Sequence, residues 1–123
     1  ISNLFPYTTL YLSDDATGYI HWWPKRGTVE WVEYAFKEPA HVSEASVYWF
    51  DDTGGGGCRV PTSWRILYKA GDQWIPVRSA GPYGVAKDAW NVVKFAPVGT
   101  TALRLEVQLQ KDFSAGVHEW KIR

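Results

Sequence analysis

Residues 102–109 read ALRLEVQL, and this stretch decides the fold class. Four apolar side chains alternate in it with three polar ones: Leu103, Leu105, Val107 and Leu109 against Arg104, Glu106 and Gln108. Successive side chains of a β-strand point to opposite faces, so a period of two places all the apolar ones on one side. The stretch therefore predicts a strand with one packed and one solvated face.

The same reading applies to six more stretches, at residues 29–36, 45–50, 63–69, 73–78, 90–95 and 116–123. Each is rich in β-branched or aromatic residues and is bounded by Gly, Pro, Asp or Ser, including KEPA at 37–40 and APVGT at 96–100. AGD at 70–72 is short enough for a tight hairpin. Because no window has the length and period of an amphipathic helix, we expect an all-β fold: a jelly-roll β-sandwich of about eight antiparallel strands.

The size and charge of the chain exclude several classes of partner. A length of 123 residues suits a single domain, here residues 1–123. Thirteen basic and thirteen acidic residues leave no net charge, which argues against a nucleic acid or an anionic membrane as a partner. No apolar run approaches the length of a membrane span. Because the chain has no methionine and starts at Ile1, we expect it to be part of a larger protein.

The most unusual stretch is WFDDTGGGGCRVP at residues 49–61. A phosphate-binding loop would need a helix after the glycines, and here another predicted strand follows, which excludes that function. The remaining interpretation is a wide loop whose glycines let the backbone pass close to a ligand or to a neighbouring loop. Cys58 is the single cysteine, so it makes no internal disulfide, and we interpret it as an inert thiol.

Two adjacent carboxylates, Asp51 and Asp52, precede those glycines. They make a poor pair of catalytic acids, because neighbours along an extended chain point in opposite directions. They are either solvated loop carboxylates or hydrogen-bond partners of a sugar hydroxyl or of Arg59. The three histidines show no metal-ligand spacing, and the sequence contains no motif of a hydrolase or a metalloprotease.

Aromatic residues make up 16% of the chain, with eight tryptophans and seven tyrosines. In HWWP at residues 21–24, Trp22 is either a loop-packing aromatic or an exposed platform for a sugar ring, and we assign Trp23 to the core. Phe113, in the loop before the last strand, either plugs the end of the sandwich or stacks on a ligand. Most of the other tryptophans fall within strand patterns and are expected in the core or at its edge.

Residues 20–123, above all YWFDDTGGGGCRVPTSW at 48–64, resemble the discoidin-like (F5/8 type C, galactose-binding-like) β-sandwich domains of bacterial glycoside hydrolases. Those domains accompany β-L-arabinofuranosidase-like and β-galactosidase-like catalytic domains. The resemblance implies a non-catalytic carbohydrate-binding module, secreted, periplasmic or on the cell surface, that tethers a glycoside hydrolase of the same parent chain to a plant-derived polysaccharide. The alternative is a structural accessory domain that packs against the catalytic domain and binds no sugar.

The resemblance also implies where a ligand would bind. In modules similar to family 32, the sugar lies among loops at one end of the sandwich, often on an aromatic from the loop before the last strand. Phe113 matches that aromatic. The other candidate ligand-binding residues are His21, Trp22, Asp51, Asp52, Arg59 and Tyr83.

A structural calcium is common in such domains, held by an early Asp-Gly loop and a Glu on the last strand. Glu119 matches the second element, but Asn3 and Leu4 stand where the Asp-Gly pair belongs, so Asp14 or Asp15 would have to contribute. The cofactor prediction is therefore none, or one calcium. The family's first strand is also missing, so LFPYTTLYL at 4–12 is expected to fill that sheet edge, unless the domain dimerises there.

Overall fold

A computed structural model describes residues 20–123 and the backbone of Thr8–Leu10. The strands are β1 (Thr8–Leu10), β2 (Ile20–His21), β3 (Val29–Phe50), β4 (Ser63–Ala70), β5 (Gln73–Pro76), β6 (Trp90–Gln108) and β7 (Gly116–Ile122). The described part of the chain contains no helix, and so none that is long and apolar enough to cross a membrane. The predicted all-β class is confirmed.

Two long strands dominate the fold. β3 and β6 pair antiparallel from Val29 opposite Gln108 to Tyr48 opposite Trp90, with irregular register between Ala35 and Ala40. The strand ends predicted at KEPA and APVGT are wrong, because both strands continue through their prolines. A bulge leaves a residue unpaired and bends its strand, which is how a proline is accommodated within a sheet.

The bent strands divide the sheet into two layers. The front layer contains β5, β4, the second half of β6 and the first half of β3; the back layer contains the first half of β6, the second half of β3, and β7 with β1 and β2 beside it. Trp49 of the back layer meets Trp64 of the front layer edge to face, with ring centroids 5.6 Å apart. The predicted β-sandwich is confirmed. The strands predicted at 29–36 and 45–50 are both part of β3, and those predicted at 90–95 and 102–109 both contribute to β6.

Two local predictions are also confirmed. β4 and β5 form the predicted hairpin, in which Ala70 is opposite Gln73 and Gly71 has a φ of +62°, as suits the first central residue of a two-residue turn. Thr8–Leu10 pairs with the outer edge of β7, so this part of the 4–12 segment occupies the sheet edge that was expected to need filling. The rest of that segment lies outside the described residues.

Three loops meet at one end of the sandwich: residues 22–28 between β2 and β3, 51–62 between β3 and β4, and 109–115 between β6 and β7. Backbone hydrogen bonds join them. The Leu109 amide donates to the Thr28 carbonyl at 2.9 Å, the Arg59 amide to the Ser114 carbonyl at 3.0 Å, and the Ser114 amide to the Gly57 carbonyl at 2.9 Å. The glycine loop is therefore held against its neighbours instead of projecting into solvent.

Candidate functional site

The Asp51 side chain fastens the glycine loop and is only 4% exposed. One of its oxygens accepts from both the amide and the hydroxyl of Thr53, and the other accepts from the Val60 amide at 3.1 Å. The Lys87 ammonium lies 3.5 Å away. Asp51 therefore holds the loop together and is enclosed, so the structure does not offer it to a ligand.

The pKa of Asp51 reflects these contacts. Burial by itself would raise the pKa, but the hydrogen bonds from Thr53 and Val60, with the charge of Lys87, outweigh burial and lower the pKa below its ordinary value. The Asp51 carboxylate is therefore charged in the folded protein at neutral pH.

Asp52 points the other way, as expected for its position after Asp51 along the chain. Its Oδ1 atom accepts from the Cys58 amide at 2.7 Å and lies 3.6 Å from an Arg59 nitrogen. A Cβ on Gly56 would overlap the Asp52 carboxylate, so a glycine is needed there for close approach. About a third of the Asp52 side chain remains exposed, which leaves a carboxylate oxygen within reach of a ligand.

Of the two tryptophans of HWWP, Trp22 follows the loop-packing alternative, whereas the assignment of Trp23 to the core is wrong. Trp22 is half-buried and packs against the core, and its amide donates to the Ala115 carbonyl at 3.0 Å. Trp23 lies in the turn that follows and is 43% exposed. Because β2 ends at His21, strand alternation no longer decides which side chain faces inward. The exposed indole is therefore Trp23, and Trp22 packs against the core.

Trp23 rests on the glycine loop. A Cβ on Gly57 would overlap the six-membered ring of the indole, so this glycine lets the ring lie against the backbone. The Arg26 guanidinium lies 4.7 Å from the ring centroid, within cation–π range. Gly56 and Gly57 thus have separate purposes: one makes room for a carboxylate and the other for an aromatic ring.

Together these residues surround a cavity of about 320 Å³, which we name the end pocket. Its lining is His21, Trp23, Phe50, Asp52, Gly56, Gly57 and Cys58. Aromatic surface suits the C–H face of a sugar ring, and a carboxylate and an imidazole suit its hydroxyls. Of the seven predicted ligand-binding residues, the structure places His21 and Asp52 in this lining.

Arg59 and Phe113 lie beside the end pocket and not in its lining. One Arg59 nitrogen donates to the Gly56 and Cys58 carbonyls, both at 2.9 Å. The guanidinium lies 4.3 Å from the centroid of the half-buried Phe113 ring. Phe113 is therefore covered by Arg59, and Arg59 supports the loop on which Trp23 and Asp52 depend.

Cys58 lines the pocket but is buried. Burial, with a smaller contribution from the nearby Asp52 charge, raises the pKa of its thiol to about 11. Since the thiolate is the reactive form of a cysteine, this thiol is a poor nucleophile at neutral pH.

Tyr83 belongs to the packing of the sandwich. Its ring lies 4.8 Å from that of Trp64, and its hydroxyl accepts from the Ile66 amide at 3.3 Å. Burial raises the pKa of this hydroxyl. The structure therefore does not bring Tyr83 to the end pocket.

The metal-ligand candidates fall in different parts of the chain. Glu119 lies on β7 opposite Tyr48, whereas Asn3 and Asp14 are outside the described residues. Within the described part, no group of three or more His, Cys, Asp or Glu side chains is arranged to hold a metal ion. The calcium site remains a prediction.

Comparison with known proteins places the fold. No family model matches the sequence. A solved structure of the Streptococcus pneumoniae β-galactosidase BgaA has a TM-score of 0.75 and 18% identity over 92% of this chain and 78% of that one. The Clostridium perfringens module CpGH89CBM32-5, in complex with GalNAc-β-1,3-galactose, has a TM-score of 0.68 and 10% identity over 94% and 92% of the chains. This chain has the discoidin-like fold.

A third match is the chitosan-binding module 1 from the chitosanase/glucanase of Paenibacillus sp. IK-5, with a TM-score of 0.64, 10% identity, and 95% and 92% of the two chains covered. At these identities the similarity establishes the discoidin-like fold, which confirms the fold implied by the resemblance. The function of this chain has to be argued from the end pocket.

The sequence pointed to His21 and Asp52, which the structure places in the end pocket, but Trp23, whose exposed ring also lines the pocket, was assigned to the core. The Trp23–Pro24 pair carried a usable signal, because a residue before proline is biased away from regular helix and often lies in a turn. Nothing in the sequence pointed to Phe50, whose ring reaches the pocket from the last position of β3.

Proposed function

We propose that this domain is a non-catalytic carbohydrate-binding module that tethers a glycoside hydrolase to a plant-derived polysaccharide. The observation that carries the proposal is the end pocket, where the exposed Trp23 ring stands next to Asp52 and His21 in a concave site. Sugar sites need an apolar face for the ring and a few fixed polar groups for its hydroxyls, and the end pocket supplies both.

The solved structures of the same fold support a saccharide as the ligand. Two of them are modules whose ligands differ, a GalNAc-galactose disaccharide in one and chitosan in the other. The fold therefore serves different sugars. A linked module raises the local concentration of its attached enzyme at the polymer even when each single contact is weak. Such a protein would act outside the cytoplasm, secreted, periplasmic or on the cell surface.

The engagement of the two loop carboxylates supports a non-catalytic role. Glycoside hydrolysis requires two carboxyl groups on either side of one bond, with one of them able to give up a proton. Asp51 is enclosed and charged. Asp52 accepts a hydrogen bond from the Cys58 amide and lies near Arg59. Asp51 and Asp52 therefore do not form such a pair.

Binding is tested by gel retardation and tryptophan fluorescence with a panel of plant and host polysaccharides. We expect retardation by at least one glycan, and a loss of affinity of about tenfold or more in Trp23→Ala, as for other central aromatic contacts. Trp31→Ala is the matched control, because it removes an indole that is 50% exposed on another face. Equal binding by both variants would refute the assignment of the end pocket.

The cofactor proposal is none, or one calcium held partly by Glu119. A calcium that binds the folded state alone would raise the melting temperature, and chelation would lower it again. Glu119→Gln should remove the response. An identical melting temperature with calcium and with a chelator would decide for no cofactor.

The structural accessory domain is the second candidate, and exposed apolar side chains favour it. Val29, Trp31 and Val92 are each at least half exposed on the outer faces of the sandwich. Such surface suits contact with a neighbouring domain. Failure of the whole glycan panel to bind would favour this candidate.

A further inference from the structure

A row of aromatic rings leads out of the end pocket along the outer face of the back layer. The Phe50 ring, which lines the pocket, lies 5.2 Å from His118; His118 lies 5.8 Å from Tyr48, and Tyr48 lies 5.6 Å from Trp90. Successive rings meet edge to face. We name these four residues the back-face ladder.

The back-face ladder points away from the core. Val47 and Trp49 are buried, so their neighbours Tyr48 and Phe50 lie on the opposite face of β3. Tyr48 and Phe50 are partly buried, and Trp90 is 37% exposed. The ladder is therefore a continuous aromatic surface that begins inside one cavity and ends at another.

The second cavity, of about 190 Å³, surrounds Trp90 and is lined by Glu44, Ser46, Trp90, Val92, Lys121 and Arg123. We name it the Trp90 pocket. The Lys121 ammonium lies 4.1 Å from the indole centroid. A ring beside a cation and a hydroxyl can hold a sugar that carries its own negative charge.

The charges around the Trp90 pocket favour an anion. An Arg123 nitrogen lies 3.9 Å from the Glu44 carboxylate. Lys94 is opposite Glu44 in the antiparallel pairing of β3 and β6. Glu119 is opposite Tyr48 on β7. Among the described residues, the lining of the Trp90 pocket contains two cations, Lys121 and Arg123, and one acid, Glu44. At the end pocket, Arg59 lies 3.6 Å from the Asp52 carboxylate, and Arg26 lies against the Trp23 ring.

We propose that a saccharide bound in the end pocket continues along the back-face ladder, and that the Trp90 pocket takes an anionic sugar residue bearing a carboxylate or a sulfate. This inference rests on the proposed function, because it extends the same ligand. It follows from the continuity of the aromatic surface with the end pocket and from the two cations, Lys121 and Arg123, in the lining of the Trp90 pocket. The ligand class is then an extended chain with one residue in the end pocket and an acidic residue further along.

The experiment is a calorimetric titration of the domain with size-graded neutral, uronate-containing and sulfated oligosaccharides. We compare the wild type with Trp90→Ala and Lys121→Gln, and use Trp31→Ala and Lys69→Gln as controls on the other layer. For long acidic chains, Trp90→Ala is expected to weaken binding about tenfold. Lys121→Gln should weaken it about threefold and reduce its sensitivity to salt. Short neutral chains should bind all five proteins equally well.

The outcomes separate the two proposals. If Trp23→Ala abolishes binding while Trp90→Ala and Lys121→Gln bind long acidic chains like the wild type, the extended site is wrong and the proposed function stands. If no saccharide binds the wild type, both proposals fail. A preference for uronate over sulfate, or the reverse, identifies which anionic group the Trp90 pocket accepts. Because Lys121→Gln is a surface change, it keeps the test valid should Trp90→Ala fail to fold.

Discussion

Two exposed indoles in this domain have different surroundings, and the difference separates a candidate binding site from a packed surface. Trp31, on the front layer, is 50% exposed, more than Trp23 at 43%. Yet the Arg104 guanidinium lies 3.9 Å from the Trp31 ring and 4.1 Å from the Trp74 ring, so one cation is stacked between the two indoles. We name these three residues the front tile. Exposure alone therefore does not identify the better site.

The two surfaces also differ in how they are built. In the front tile, Arg104 and Glu33 are directly opposite each other on paired strands and form an ion pair at 3.3 Å. The end pocket is instead held by side-chain contacts within loops, above all those of Asp51. Changes at Asp51 should thus affect the whole site, whereas changes in the front tile should stay local.

The largest effect is expected for Asp51→Ala. It leaves the Val60 and Thr53 donors without their acceptor, which should lower the free energy of unfolding by about 3 kcal/mol. Chemical denaturation measures the change, with Glu38→Ala, at an exposed position, as the control. A loss no larger than that of the control would contradict the role given to Asp51.

The same variant should open the loop around Cys58. In the wild type, a thiol pKa of about 11 against an ordinary value of 9.0 makes the thiolate about a hundredfold rarer at pH 8. Alkylation of Cys58 should therefore be slow in the wild type and faster in Asp51→Ala under native conditions. Equal alkylation rates would mean that the loop stays closed without Asp51.

Gly57→Ala should affect binding more than stability. Its Cβ would overlap the Trp23 ring and displace it, so glycan affinity should fall about as far as in Trp23→Ala. Gly55→Ala is the matched control, since its Cβ would meet its nearest neighbour, the Asp52 carbonyl oxygen, at an ordinary 3.8 Å. Wild-type affinity in Gly57→Ala would show that Trp23 does not need its place on the glycine loop.

Arg104→Gln tests the front tile. The loss of two cation–π contacts and a partly exposed ion pair should lower the free energy of unfolding by about 1 kcal/mol, with glycan binding unchanged. Thermal unfolding and titration measure the two quantities, with Arg78→Gln as an exposed control. A loss of glycan binding would make the front tile part of the site, and the front tile and the end pocket would then no longer differ in function.

The smallest effect is an acid sensitivity. Because the folded pKa of Asp51 lies below its ordinary value of 3.8, its charged form stabilises the fold above that pH, and this contribution is lost as pH falls through the folded pKa. The difference in melting temperature between the wild type and Asp51→Asn should therefore shrink as pH falls from 6 to 3. A constant difference would mean that the charge of Asp51 contributes nothing.

The sequence predicted the fold more reliably than the site for a physical reason. Alternation such as that of Leu103 and Arg104 is imposed by the strand itself, so it can be read without knowledge of the neighbours. Trp22 and Trp23 stand where the strand ends, and there their directions depend on the loop at residues 51–62. The sequence therefore offered only the turn signal of the Trp23–Pro24 pair to distinguish the two indoles.

The prolines show a second limit of the same kind. Pro39 and Pro97 were read as strand ends, because proline cannot donate to a β-ladder. Whether a sheet tolerates such a residue depends on a bulge, which is a property of two paired strands and not of one. Tyr83 is similar, since its ring packs on Trp64, nineteen positions earlier in the chain.

The pairing of Val29 with Gln108 has a consequence for how the domain forms. Contacts between residues so far apart in the chain require a large loop to close first, which makes folding slow, on the order of milliseconds to seconds. The end pocket draws on residues from 21 to 58 and leans on the 109–115 loop. A nascent chain therefore cannot form the end pocket until the 109–115 loop has joined the fold, so the proposed binding surface is completed late and all at once.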